Sequence, residues 1–173
     1  MHLACTAYLT LMHTGDRTAA AIDAGGVLPA YAGILVRDGY NGYAHLAGAL
    51  HAWCGAHMLR DLQDVHDAEP GRQEWAAKMG CLLLWARDAA AAARTDGKTA
   101  LDPADLEFLL TTYRAVTAEG TAVNQYRHDS ANGRTARALT RRLATFEDMI
   151  LRFATRPAPD IFTNKKQSAP SAP

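Results

Sequence analysis

The sequence predicts an α/β fold over residues 1–69 and helices alone from residue 70 onward. Ile34-Leu35-Val36 is a continuous apolar run without alternation, the pattern of a strand buried on both faces of a mostly parallel sheet. Around it the chain reads strand, helix, strand, turn, helix, strand, helix. From Pro70 onward apolar residues recur only at helical spacing.

Taken in order, Cys5, Ala7, Leu9 and Leu11 alternate with Thr6, Tyr8 and Thr10, which predicts one long strand or two antiparallel ones folded near Thr6-Ala7. Asp16 is the expected N-cap of a short helix to about Ala24, closed by Gly25-Gly26. The Ile34 strand ends at Asp38, where Gly39 and Asn41-Gly42 let the backbone bend. Ligands bind at that edge in open α/β sheets. Tyr43 to Leu50 has apolar residues at helical spacing, His51 to Cys54 reads as a strand, and a second helix begins near Gly55.

Gly71 to about Thr95 is a long helical stretch ending at Gly97, with Cys81 in its core face. Asp102 as N-cap, Pro103 at the first helical position and Gly120 past the end bound the next helix. The last runs from about Gly133 to Ala154, with Leu139, Leu143, Phe146, Ile150 and Phe153 as its buried stripe. Pro157 and Pro159 stop it, and the tail from Asn164 has the composition of a disordered segment.

With 173 residues, 49% hydrophobic and 21% charged, the chain has the size and composition of one globular domain. Three cysteines without framework spacing suit free thiols in a reducing cytoplasm. No apolar run approaches the ~18 residues of a membrane helix, so no membrane partner is expected. The zero net charge hides an asymmetry. Residues 1–120 hold 9 Lys/Arg against 14 Asp/Glu, and residues 121–173 hold 9 against 4. Arg134, Arg137, Arg141 and Arg142 on the last helix are therefore the expected DNA-binding face, because basic side chains make most phosphate contacts. The competing reading is a solvated face, or pairing with Glu147 and Asp148.

Asp38-Gly39-Tyr40 with Gly42-Tyr43, followed by Cys54-x-x-His57-x-x-Arg60, resembles the central region of the insertion-sequence-66 family of bacterial transposases. The similarity extends through Lys98 to Asp102, Tyr113-Arg114 and Ala118-Glu119-Gly120, and reaches Ile161-Phe162-Thr163-Asn164. It implies a partial ribonuclease-H-like mixed sheet (1–69), an all-helical insert packed on it (70–156) and a disordered tail (157–173). It also implies Mg²⁺-dependent DNA strand cleavage and transfer, with DNA as partner and with association with a full-length transposase or with itself.

Such a site uses carboxylates to hold two divalent cations about 3.5–4 Å apart, and hard oxygen ligands suit Mg²⁺. On the resemblance, Asp38 is a catalytic residue and metal ligand, and His57 and Arg60 orient a carboxylate or a DNA phosphate. A first Asp is implied on a strand before the hairpin, and no candidate precedes Met1. A Glu is implied after Phe162-Thr163-Asn164, where Lys165-Lys166-Gln167-Ser168 stands. Strand transfer by this chain alone is therefore not expected, and a non-catalytic DNA-binding or regulatory role is the alternative. His51-x-x-Cys54-x-x-His57 has zinc-type side chains but lacks an evident fourth ligand, and two residues at odd separation on one strand face opposite ways.

Overall fold

The computed structural model describes residues 2–5, 10–13, 16, 18–156 and 160–163. Most of these are helical. A small parallel sheet precedes an all-helical region, and four long helices make up the body of the protein.

The N-terminal strands are two, β1 (His2–Cys5) and β2 (Thr10–His13), paired antiparallel with His2 opposite His13. The expected fold-back at Thr6-Ala7 lies outside the described residues. Helix α1 (Ala19–Ala24) starts later than expected: Thr18 is its N-cap and accepts from the Ala21 N–H, while Asp16 accepts from the Thr18 N–H and hydroxyl at 2.9 and 2.6 Å. The carboxylate thus bonds to the capping residue instead of capping. Gly25 ends the helix, and Gly26 takes a left-handed φ of 74°.

β3 (Ile34–Arg37) and β4 (Leu50–Trp53) form the parallel sheet, with Ile34 opposite Leu50 and Arg37 opposite Trp53. The expected single mixed sheet is two separate two-stranded sheets among the described residues. Gly33 and Arg37 turn their carbonyls to β4, accepting from Leu50 and Cys54, so the Ile34 carbonyl points to the other edge. There the Tyr31 hydroxyl donates to it at 3.2 Å, occupying an acceptor that a further strand would use.

Between β3 and β4 the expected Tyr43–Leu50 helix is absent. The link is a single 3-10 turn (Asn41–Tyr43) followed by turns, with Leu46 and Ala49 buried. Gly42 and Gly48 bracket a segment too short to offset the cost of nucleating a helix.

Helices α2 (Gly55–Ala68), α3 (Glu74–Thr95), α4 (Pro103–Asn124) and α5 (Ala131–Thr145) pack in sequence, and α5 returns against α2 to close the bundle. α3 begins three residues after the expected Gly71, because the Gln73 side chain is drawn inward to bond with Asn124 and the Trp75 indole. Gly97, at φ 70°, follows its end as expected. α4 does not stop at Gly120. It runs through to Asn124, and Gly120 is buried against Trp75, so the glycine serves close helix packing instead of termination.

The expected Gly133–Ala154 helix is broken into α5, α6 (Glu147–Ile150) and α7 (Arg152–Thr155). Ser130 caps α5 by accepting from the Gly133 N–H. Phe146 leaves helical geometry at φ −116° and packs on Trp53 with ring centroids 5.2 Å apart. That contact turns the chain so that α6 and α7 lie against β4. The stripe residues Leu139, Leu143, Ile150 and Phe153 are buried, joining Trp75, Met79, Leu83 and Tyr113 in one core. Cys81, expected in the core, is exposed: it lies off the α3 stripe of Met79, Leu82, Leu83 and Ala86. The tail from Asn164 lies outside the described residues.

Candidate functional site

Three chain segments meet where the parallel sheet ends. The Arg37 carbonyl accepts from the Cys54 N–H at 2.8 Å, and the next amide, Gly55, donates to Phe162 at 2.7 Å. The ends of β3 and β4, the first turn of α2 and residues 161–163 therefore form one junction. Gly55 is required there by contact, since a Cβ would lie 2.4 Å from the Phe162 ring. Phe162 also meets Phe153 edge-on at 4.8 Å, and Cys54 Sγ lies 3.7 Å from Thr163 Oγ1. Two motifs more than 100 residues apart in the chain are thus brought together by packing.

Asp38 leaves the end of β3 half-buried, and its Oδ1 accepts from the Tyr40 N–H at 3.0 Å. That bond closes the D-G-Y turn on itself and fixes where the carboxylate sits. His57 lies in the first turn of α2, half-buried, and its Nδ1 is buried without a hydrogen-bond partner among the described residues. Arg60, one turn on, is exposed.

Arg37 is the residue that sequence reasoning missed. Its guanidinium is buried, donates from Nε to His51 Nδ1 at 3.0 Å, and donates from Nη1 to the carbonyls of Asp38 and Tyr40 at 3.3 and 3.1 Å. It also lies over the Trp53 ring, 5.5 Å from its centroid. Burial pulls its pKa below the usual arginine value, and the charge of Asp38 opposes that. Because Arg37 can only donate, His51 accepts through Nδ1 and donates through Nε2 to the Leu46 carbonyl at 3.0 Å. The available signal was a cation that ends an apolar strand and immediately precedes the carboxylate.

This arrangement decides the zinc reading against ligation. Both ring nitrogens of His51 are engaged, and Cys54 faces Thr163. Among the described residues no group of three or more His, Cys, Asp or Glu is placed to hold a metal ion. Two further acids have cationic partners: Asp61 pairs with Arg142, and Asp160 with Arg94 at 3.7 Å. One half-buried carboxylate does not by itself fit a two-cation centre.

The α5 arginines separate into two sets. Arg142, half-buried, is paired with Asp61 and stacked 5.3 Å from the Trp53 centroid, on the ring that also carries Arg37. Arg134 and Arg137 hold His128, the first through its carbonyl at 3.1 Å and the second through its ring. Arg141 is exposed. Glu147, the partner for this set on the competing reading, is instead bound by Arg114. Among the described residues Arg134, Arg137 and Arg141 have no carboxylate within ion-pair distance.

A family model described as Transposase IS66 family matches residues 1–166 of the 173. No curated protein and no solved structure matches the chain. Among the described residues no helix is long and apolar enough to cross a membrane.

Proposed function

Since the chain belongs to the IS66 family of transposases, we propose that it is a transposase-derived protein that holds DNA without transferring strands by itself. The ancestral chemistry is Mg²⁺-dependent cleavage and joining of DNA in a ribonuclease-H-like core. Residues 1–69 belong to that core, residues 70–156 are its helical insert, and the protein acts in the cytoplasm. Asp38 is the metal-ligand position, and His57 and Arg60 on α2 are the residues assigned to orient a carboxylate or a DNA phosphate.

One observation carries this reading: the cations and carboxylates are distributed unequally. Asp61 on α2 and Asp160 beside the 161–163 segment are bound by arginines. Arg134, Arg137 and Arg141 on α5 are not bound by acids among the described residues. The protein therefore offers more to phosphates along α5 than it offers to metal ions at Asp38.

Two measurements test it. Supercoiled plasmid incubated with the protein and Mg²⁺ or Mn²⁺ is expected to stay intact, and metal-dependent nicking abolished by Asp38→Ala would overturn the non-catalytic part. Duplex DNA should bind with a log–log salt slope of about −2.7, from roughly 0.9 for each of three phosphate contacts. Arg141→Ala should reduce that slope by about one, whereas Arg142→Ala should leave it unchanged. A slope indifferent to Arg141 would remove the α5 face from the reading.

A further inference from the structure

The loop joining α4 to α5 carries an exposed aromatic ring and the histidine that two of these arginines hold. Tyr126 is 81% exposed, the most exposed of the large hydrophobic side chains described. The loop that carries it is held from several sides. Arg127 donates to Glu69 at 2.9 Å and to Asn124 at 3.3 Å, which ties the loop to the end of α2 and of α4. The His128 N–H donates to the Tyr126 carbonyl at 3.2 Å, and Arg134 and Arg137 grip His128 from α5. Tyr126 is thus an uncovered ring on an anchored loop, two residues from the histidine that two cations hold. Arg141 continues the row, about 10 Å along the helix axis from Arg134 at 1.5 Å per residue.

We propose that this tip of the bundle is a site for single-stranded DNA, in which Tyr126 stacks on an unpaired base while Arg134, Arg137 and Arg141 hold the backbone. The inference rests on α5 being the DNA-holding face and adds the state of the DNA. In a duplex the base faces are already stacked on one another, so an aromatic side chain gains a base only where the strand is open. Arginines alone would serve duplex and single strand alike, because phosphate contacts do not distinguish them by base. The ring is what creates the preference, and its stacking is tolerant of sequence because every base has a π-face.

The test is fluorescence anisotropy of the full chain with a labelled oligothymidine of about 15 nucleotides, within the site sizes of single-strand binders, and with the same strand in a duplex. The single strand should bind more tightly. Tyr126→Ala should weaken it about tenfold, the effect of losing one stacked base, and leave the duplex within about twofold. Tyr126→Trp should retain single-strand binding. Arg134→Ala with Arg137→Ala should weaken both forms and lower the single-strand slope by about 1.4, at 0.7 per contact. Far-UV circular dichroism of each variant establishes that it is folded. Equal affinity for both forms, with Tyr126→Ala inert, would overturn the single-strand site and leave α5 as a DNA face. Absence of binding to either form would overturn both.

Discussion

Two glycine-to-alanine substitutions should change stability in opposite directions. Gly80 and Gly120 both lie inside long helices, α3 and α4, where alanine is favoured over glycine by about 1 kcal/mol. At Gly80 a new Cβ meets only Leu59 Cδ2 at 4.0 Å. Gly80→Ala should therefore stabilise by about 1 kcal/mol, raising Tm by roughly 2–4 °C for a chain of this size. At Gly120 the same atom would lie 2.6 Å from Trp75 Cδ2 and 2.9 Å from Thr140 Cγ2. Trp75 is fully buried and its indole N–H is bonded to Gln73, so the ring cannot shift without disturbing the Gln73–Asn124 pair. Overpacking of this kind costs about 1–3 kcal/mol. With two buried neighbours displaced, the upper value applies, and after the helical gain the net loss is about 2 kcal/mol, or roughly 4–8 °C in Tm. Guanidinium unfolding followed by tryptophan fluorescence and by circular dichroism would measure both at unchanged m. If both variants moved the same way, the close packing of Trp75 on Gly120 would be refuted.

The Tyr113 hydroxyl is buried and donates to the Leu143 carbonyl at 2.9 Å, and burial holds its pKa well above the usual 10. Unfolded tyrosine ionises first as pH rises, so this group takes stability away above about pH 10, by up to about 1.4 kcal/mol per pH unit. Tyr113→Phe should cost about 1 kcal/mol at neutral pH and flatten that alkaline decline in a denaturation series. At the acid end, the Arg127 hydrogen bond holds Glu69 below its usual 4.5, so its contribution is present above that pH and lost as pH falls through the lower folded value. Glu69→Gln should remove part of the acid-induced loss, read from unfolding midpoints between about pH 6 and 3. An unaltered acid limb would mean that the Glu69–Arg127 pair is not maintained in solution.

Much of the fold was legible where pattern and punctuation agreed. The continuous Ile34-Leu35-Val36 run is a parallel strand, although it is half-buried and not buried on both faces as expected; Asp102-Pro103 opens α4, Gly97 follows α3, and the α5 stripe lies in the core. What misled was punctuation that serves tertiary contacts. Gly120 looks like a helix end because glycine is the usual terminator, yet here its missing side chain makes room for Trp75. Phe146 fits a heptad-like stripe, but its ring is drawn to Trp53, more than 90 residues away, and the helix breaks to allow it. Neither partner can be inferred from local sequence. At the candidate site, the motif residues Asp38 and His57 were visible as motifs, while Arg37 was hidden because its roles depend on His51, Tyr40 and Trp53 arriving around it.

The arginines of α5 show how far helical geometry can go before a structure is needed. Counting charge along residues 121–173 treats Arg134, Arg137, Arg141 and Arg142 as equivalent. At about 100° per residue, however, Arg134, Arg137 and Arg141 fall within a narrow arc of the helix, and Arg142 is a further 100° round, toward the side bearing Leu139 and Leu143. A cation so placed flanks the apolar stripe and approaches the neighbouring helix. It meets Asp61 on α2 and the Trp53 ring there. The three remaining arginines lie opposite the stripe: Arg134 and Arg141 are exposed, Arg137 is half-buried, and Arg134 and Arg137 turn to His128. Position around the helix, more than the number of charges along it, therefore divides Arg142, which is paired with a carboxylate inside the bundle, from Arg134, Arg137 and Arg141, which have no carboxylate partner among the described residues.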